Sequence, residues 1–153
     1  LRHGVVWDFI NKLRSNPREL EVLGDGTQIR SYIYIDDAVE ATMLAWRKAS
    51  NMFEVFNVAS EDWITVDEVA KIVIKTIGLK DVKIIHKPVV HGVGWLGDVK
   101  KIALKISKLK ALGFSLRFNS IQAIKKTALS MMEEKKDLDI SRFNYHINES
   151  NHY

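Results

Sequence analysis

Apolar residues recur at helical spacing in several stretches of this chain, and these stretches predict its helices. The predicted helices cover residues 5–13, a segment opening at 36–37, residues 66–77, residues 106–112 and a last long segment from 119 onward. The strongest signal follows the capping box Thr65-Val66-Asp67-Glu68 and ends at Gly78. The first helix stops before Pro17, which cannot continue it.

Short runs of β-branched, aromatic and aliphatic residues predict the strands. These runs cover residues 20–23, 30–35, 53–58 and 82–85. The run 53–58 lacks clean alternation, which is typical of a strand covered on both faces in a parallel sheet. Helices alternate with strands in this order, so the pattern indicates the α/β class, with too few βαβ units for a complete doubly wound domain.

The helix that follows the second predicted strand has a candidate cap. Asp36 and Asp37 end the strand, and Asp37 with Glu40 three residues later forms a capping-box pattern. We expect this helix to direct Val39, Met43 and Trp46 into the core.

The length and amino-acid composition of the chain exclude several classes of protein and of functional site. The chain has 153 residues, enough for one domain with a substantial core. The lack of cysteine excludes a disulfide scaffold, a thiolate nucleophile and Cys-ligated metal. Apolar runs fall short of the roughly 20 residues of a membrane span, so we expect a cytoplasmic protein with no membrane partner.

The net charge of +4 comes from the C-terminal part of the chain. Residues 97–136 carry ten basic side chains against three acidic ones. Nucleic acid could bind such a stretch, but its lysines flank apolar residues as on a solvated helix face, and aromatic residues do not interleave them. We therefore expect no nucleic-acid partner, and a solvated face or a site for a small phosphorylated ligand instead. Residues 135–153 are expected to form a loose polar tail behind a domain over 1–134.

Several motifs that would indicate a catalytic or cofactor site are incomplete or missing in this sequence. Residues Gly92 to Gly97 match G-x-G-x-x-G, but no Asp or Glu occurs from Val99 through Met132 to hold a ribose. The sequence has neither Tyr-x-x-x-Lys nor G-x-S-x-G. Its five histidines form no metal-ligand pattern and are expected on the surface.

Two loop residues remain as candidates for binding chemistry. Arg30 follows the turn Gly24-Asp25-Gly26 at the start of a strand, where a guanidinium could contact a phosphate in bidentate fashion. Its alternative is a surface pair with Asp36 or a helix carboxylate. Asp98, beside Gly97, could accept hydrogen bonds from ribose or sugar hydroxyls, or could cap a helix.

The stretch from Leu20 to Asp37 resembles a signature of the extended short-chain dehydrogenase/reductases that act on nucleotide sugars, and in particular that of UDP-glucose/UDP-galactose 4-epimerases. The likeness continues over 2–10, 53–59, 94–99 and 106–108, and covers about residues 1–134 in the same order. The resemblance implies the C-terminal, substrate-binding part of such an enzyme, lacking the N-terminal Rossmann domain.

The same resemblance implies residue roles for a UDP-sugar ligand. Arg30 would hold the diphosphate, Asp98 would lie against the uridine ribose, and the backbone of Glu21, Val22 and Leu23 would lie against the uracil. A second phosphate-binding arginine of the family is missing, because its neighbourhood here reads Val93-Gly94-Trp95.

The resemblance also sets expectations for catalysis and partners. NAD is implied for the complete enzyme, which oxidises and re-reduces C4 of the sugar, whereas this chain alone is expected to bind no cofactor and to be non-catalytic. A dehydratase or reductase remains the near alternative. The other alternative is a standalone binding module, or a half-protein that associates with a separate Rossmann subunit. If isolated, the chain is expected to self-associate through the apolar run 53–58.

Overall fold

The computed structural model describes residues 3–87, 92, 94 and 96–145, with the backbone alone for 134–145. Its elements confirm the α/β class. They are α1 (Val5–Ser15), β1 (Glu19–Leu23), β2 (Ile29–Arg30), α2 (Ile35–Lys48), β3 (Ile64–Thr65), α3 (Val66–Thr76), β4 (Lys83–Lys87), α4 (Ser107–Ala111) and α5 (Ser120–Tyr145).

The described strands form two small sheets. β1 pairs with β4 in parallel, with Leu20 opposite Ile84, and β2 pairs with β3 in antiparallel fashion, with Arg30 opposite Ile64. Leu20 and Val22 are fully buried, while the residues between and beside them are exposed. This alternation follows from the two-residue period of a strand with one covered face.

The main core lies where α1, α3 and α5 pack together against β1. Its buried members are Val6, Phe9, Ile10, Leu13, Leu20, Val22, Ile64, Val69, Ala70, Val73, Ile124 and Ala128. The predicted capping box of α3 is confirmed, since Thr65 Oγ1 accepts from the Glu68 amide and the Glu68 carboxylate accepts from the Thr65 amide. Asn119 and Gln122 likewise exchange hydrogen bonds at the start of α5.

A second, smaller core lies between α2, α4 and the segment that follows α2. Ala41, Ile106, Leu109 and Phe114 are buried there, with Ala59 beside them. The short helix predicted over 106–112 is confirmed as α4 at the centre of this cluster.

The strand predicted over 30–35 is wrong beyond its start. Only Ile29–Arg30 pair in a sheet, and Ile35 already begins α2. The Asp37 capping box is also wrong, because Tyr34 precedes the helix and the buried Asp37 carboxylate accepts instead from the backbone amides of Arg117 and Phe118. Its second oxygen lies 2.7 Å from Arg117 Nε.

The predicted orientation of α2 is wrong as well. Val39, Met43 and Trp46 are all exposed, whereas Asp37 and Ala41 are buried. The helix packs its opposite face on the second core through Ala41, Leu44 and Ala45, and the buried Asp37 on that face contacts Arg117.

The run 53–58 has no regular secondary structure, so the strand predicted there is wrong for the described part of the chain. Phe53 and Val55 are exposed, while Phe56 and Val58 pack partly against the second core. A strand requires a neighbouring backbone to pair with, and the described residues supply none beside this run.

The last helix extends beyond the apolar pattern that predicts it. α5 continues to Tyr145, past Glu134, although the sequence there is polar and aperiodic. The residues of the predicted tail from 146 to 153 lie outside the described part of the chain. Across the described residues, the structure contains no helix with both the length and the apolarity of a bilayer-spanning segment.

Candidate functional site

A cleft of about 520 Å³ lies between the start of α1, the end of β1 and the segment around β2. One part of its lining is apolar and comprises Val5, Trp7, Phe9, Leu23 and Val66. The other part is polar and comprises His3, Asp8, Asn11, Gln28, Arg30, Tyr32 and Asp98, with Gly4 between them. A cavity of this size with an apolar wall and a few converging polar groups is typical of small-molecule sites.

Three side chains from one stretch of chain line the cleft together. Gln28, Arg30 and Tyr32 are two residues apart, and all three contribute to the lining. The two-residue period of extended backbone explains why they share one side. Burial raises the pKa of the Tyr32 hydroxyl above its usual value, so this phenol is a neutral hydrogen-bonding group at physiological pH.

Arg30 and Asp98, predicted separately from the sequence, meet in this cleft. Arg30 Nη2 donates to Asp98 Oδ1 at 2.5 Å, although 68 residues separate them. The Asp98 side chain is 3% exposed and that of Arg30 is 22% exposed. Asp98 therefore pairs with Arg30 instead of capping a helix, and Arg30 pairs with Asp98 instead of with Asp36.

Further hydrogen bonds fix the guanidinium and the carboxylate. Arg30 Nη1 donates to the carbonyl of Ile29 at 2.8 Å, and Asp98 Oδ2 accepts from the Gly94 amide at 3.3 Å. A guanidinium has five N–H donors, and two of them are used in these contacts. The remaining donors can serve an anion in the cleft.

The turn Gly24-Asp25-Gly26 ties β1 to the loop that carries Asp98. The Asp25 amide donates to the carbonyl of Gly92 at 2.8 Å, and Lys100 Nζ lies 2.8 Å from Asp25 Oδ2. Lys100, together with the amide and hydroxyl of Thr27, holds the pKa of the Asp25 carboxyl well below its usual value. These contacts bring Asp98 to Arg30 across the sequence.

Gln28 is a site residue that the sequence analysis missed. It is 2% exposed, its Nε2 donates to the Leu23 carbonyl at 3.2 Å, and its Oε1 has no hydrogen-bond partner among the described residues. The Leu23 contact couples the end of β1 to the polar side of the cleft. A polar residue two positions before Arg30 on an extended segment was the signal that could have indicated it.

The structure separates the three residues predicted to lie against a nucleobase. Leu23 lines the cleft and is 44% exposed. Val22 is buried in the main core, and Glu21 is exposed, with its carbonyl accepting from Lys12 Nζ at 3.2 Å. Of the three, only Leu23 has a place in the described lining of the cleft.

The segment 92–97 does not fit the pyrophosphate of NAD. In a dinucleotide-binding fold, the third glycine of G-x-G-x-x-G lies where a strand leads into a helix. Here the described residues after Gly97 are irregular except for a bridge at Lys101, and the next helix begins at Ser107. Gly97 thus presents no helix N-terminus to a phosphate.

The described residues contain no cluster of three or more His, Asp or Glu side chains close enough to share a metal ion. His86, one of the five histidines, has its Nε2 at 2.8 Å from Asp67 Oδ1.

Comparison with known proteins points to one family. Residues 2–59 match the model of the NAD dependent epimerase/dehydratase family. A Methanocaldococcus jannaschii protein assigned as a UDP-glucose 4-epimerase is 29% identical over 125 residues, which are 80% of this chain and 37% of that protein.

Solved structures show the same relationship in three dimensions. A UDP-galactose 4-epimerase is 39% identical with a TM-score of 0.73, and the match covers 88% of this chain and 41% of that one. The Thermotoga maritima UDP-glucose 4-epimerase, solved with UDP-glucose, is 32% identical with a TM-score of 0.71, covering 86% of this chain and 40% of that one. This chain therefore spans about two fifths of the length of each of these three relatives. Sequence and fold together support the NAD dependent epimerase/dehydratase family for this chain.

Proposed function

We propose that this chain is the nucleotide-sugar-binding portion of an NAD-dependent UDP-glucose/UDP-galactose 4-epimerase-like enzyme. It corresponds in this proposal to the C-terminal part of an extended short-chain dehydrogenase/reductase and is not catalytic by itself. The observation that carries the proposal is the cleft in which Arg30 and Asp98 meet beside an apolar wall. A guanidinium suits a diphosphate, a carboxylate suits ribose hydroxyls, and an apolar wall suits a base.

The polar and apolar ends of the cleft suggest an orientation for the ligand. The diphosphate lies on the free donors of Arg30, the ribose lies beside Asp98, and the uracil lies toward Leu23. The family resemblance assigns the backbone of Glu21, Val22 and Leu23 to the base, and Leu23 is the one of these three that lines the described cleft. The crystallised relative from Thermotoga maritima, solved with UDP-glucose, supports the choice of a UDP-sugar.

NAD chemistry belongs, in this proposal, to a Rossmann part that the chain does not contain. The family takes its name from NAD, and this chain spans 37% and 41% of two proteins that it matches. When bound there, NAD would oxidise the sugar at C4 and then return the hydride. The role of this chain is to bind and orient the nucleotide sugar. The alternative is that the complete enzyme is a dehydratase that acts on a nucleotide sugar.

Calorimetric titration with UDP-glucose tests the proposal through Arg30. Arg30→Ala should weaken binding by at least roughly 1.5–3 kcal/mol, the range for hydrogen bonds to a charged group. Arg30→Lys keeps a positive charge beside Asp98 but loses the planar fork, so it should bind less tightly than the wild type while remaining folded. The matched control is Arg18→Ala, since Arg18 is exposed on the turn before β1 and lies outside the cleft.

Circular dichroism and thermal melts of each variant establish that the fold is intact, because Arg30→Ala leaves the Asp98 carboxylate without its cation. Equal affinities of the wild type and Arg30→Lys for UDP-glucose would show that the assigned site is wrong. So would a wild type that does not bind UDP-glucose.

A second candidate function is supported by exposed apolar surface. Ile35, Val39, Met43 and Trp46 recur at helical spacing on one side of α2 and are all exposed, and we call this surface the α2 face. Phe53 and Val55 are exposed just after it. We assign the α2 face to contact with the Rossmann part of the enzyme, in the same polypeptide or as a separate subunit. A standalone half-protein with a purely binding role would use the same surface for that association.

A further inference from the structure

Arg30 already has an anionic partner in the cleft before any ligand arrives. Its Nη2 lies 2.5 Å from Asp98 Oδ1, and the Asp98 side chain is almost completely shielded from solvent. A shielded carboxylate at this distance cancels much of the field of the guanidinium, because screening by water is weak there. A phosphate that enters the cleft therefore meets an ion pair rather than a free cation.

The rest of the described lining adds no compensating lysine or arginine. Asp8 also lines the cleft, and Lys12 neutralises it at 2.8 Å. Lys100, the lysine two residues after Asp98, is held by Asp25. The described lining thus supplies hydrogen-bond donors to an anion but little excess positive charge. Net attraction for a small, highly charged anion is weak under these conditions.

The Asp98 carboxylate differs from Arg30 in the kind of ligand group it favours. An ionised carboxylate is an acceptor only, so it repels phosphate oxygens and binds hydroxyl donors. An inorganic diphosphate brings more negative charge and no ribose hydroxyls. A nucleoside diphosphate brings two ribose hydroxyls next to its diphosphate.

We infer that Asp98 makes this cleft selective for nucleoside diphosphates over inorganic diphosphate. Its carboxylate offsets the positive charge of Arg30 and accepts a hydrogen bond from a ribose hydroxyl next to the diphosphate. The inference rests on the proposed function, because it assumes that the diphosphate of a nucleotide sugar lies on Arg30. Selectivity of this kind keeps free diphosphate and similar anions from competing with the nucleotide sugar. This selectivity combines electrostatic repulsion of inorganic diphosphate with hydrogen bonding to the nucleoside diphosphate.

Calorimetric titrations with UDP and with inorganic diphosphate, in magnesium-free buffer at constant ionic strength, test the inference. The wild type should prefer UDP. Asp98→Asn is nearly isosteric, keeps an oxygen for the Gly94 amide and removes the charge. It should tighten the binding of inorganic diphosphate at least about tenfold, given the short charge separation. UDP should gain much less or lose affinity, so the ratio of the two affinities should fall at least about tenfold.

The control Glu61→Gln removes the same charge from an exposed pair with Lys110 outside the cleft and should leave the ratio unchanged. Asp98→Ser provides a second neutral variant if Asp98→Asn melts early. If Asp98 had only a structural role, its substitution would weaken the binding of UDP and of inorganic diphosphate equally. An unchanged ratio of the two affinities would overturn the inference and leave the proposed function intact. A wild type that binds neither ligand overturns both.

Discussion

At the scale of single residues, the cleft depends on a glycine whose conformation other residues rarely adopt. Gly24 has φ of +90°, and a Cβ built on it would overlap the side-chain amide of Gln28. Gly24→Ala should therefore destabilise the fold by about 3 kcal/mol, combining backbone strain with displacement of a buried side chain. Urea denaturation measures this loss.

Gly78→Ala is the matched control for Gly24→Ala. Gly78 has φ of +80°, but no atom lies within 4 Å of its added Cβ. It should show only the strain of the left-handed conformation, about 1 kcal/mol. Equal losses at the two positions would mean that Gln28 is not packed against the turn as described.

The sequence indicated Arg30 and Asp98 separately as candidates, each from its loop, but could not pair them. Their contact spans 68 residues, and the pair of Asp25 and Lys100 joins the same two loops. Such long-range geometry leaves no local pattern. Gln28 was missed because a lone glutamine carries no motif, and its burial appears only once β1 and β2 are in place.

At the scale of elements, the α2 face predicts association. An isolated chain that exposes four large apolar side chains on one helix should self-associate, because burying them removes apolar surface from water. Sedimentation velocity on the wild type should show concentration-dependent oligomers. The double variant Val39→Lys/Trp46→Lys should sediment as a monomer, since lysine retains helix propensity and adds charge.

The control for this surface is Ile121→Lys, at an exposed apolar position on α5 outside the α2 face. It should behave as the wild type does. A wild type that stays monomeric at high concentration would count against the α2 face as a docking surface.

The elements that the sequence predicted correctly are those with strong local signals. The helix α3 has a capping box and a continuous apolar stripe, and α1 has a stripe ended by Pro17. The runs 30–35 and 53–58 failed, because β propensity expresses how a residue fits a sheet rather than an intrinsic backbone preference. The apolar stripe of α2 was read as a core face, while tertiary contacts of Asp37 oriented the helix the other way.

At the scale of the whole molecule, several carboxylates link stability to pH. Lys100 and Thr27 lower the pKa of Asp25, and hydrogen bonds from Thr65 lower that of Glu68. Burial acts to raise the pKa of Asp62, but hydrogen bonds from Ser60 and Ser120 outweigh it and lower that pKa too. A carboxyl with a lowered pKa in the folded state contributes stability above its unfolded pKa and loses it as the pH falls.

The urea concentration at the unfolding midpoint of the wild type should therefore stay constant near neutral pH. It should decrease progressively below about pH 4, where carboxylates of the unfolded chain take up protons. Asp25→Asn removes one of these groups, so its midpoint should be lower at neutral pH and should change less on acidification. Wild type and Asp25→Asn curves that run parallel would contradict the contribution assigned to the pair of Asp25 and Lys100.

A crystal structure of this chain with UDP-glucose would show whether the cleft at Arg30 and Asp98 holds a nucleotide sugar. We expect diphosphate oxygens about 3 Å from the Arg30 guanidinium, a hydrogen-bonding distance. The ribose hydroxyls should lie on Asp98 and the uracil toward Leu23. Ligand bound elsewhere, or a diphosphate that does not contact Arg30, would show that this cleft is not the nucleotide-sugar site.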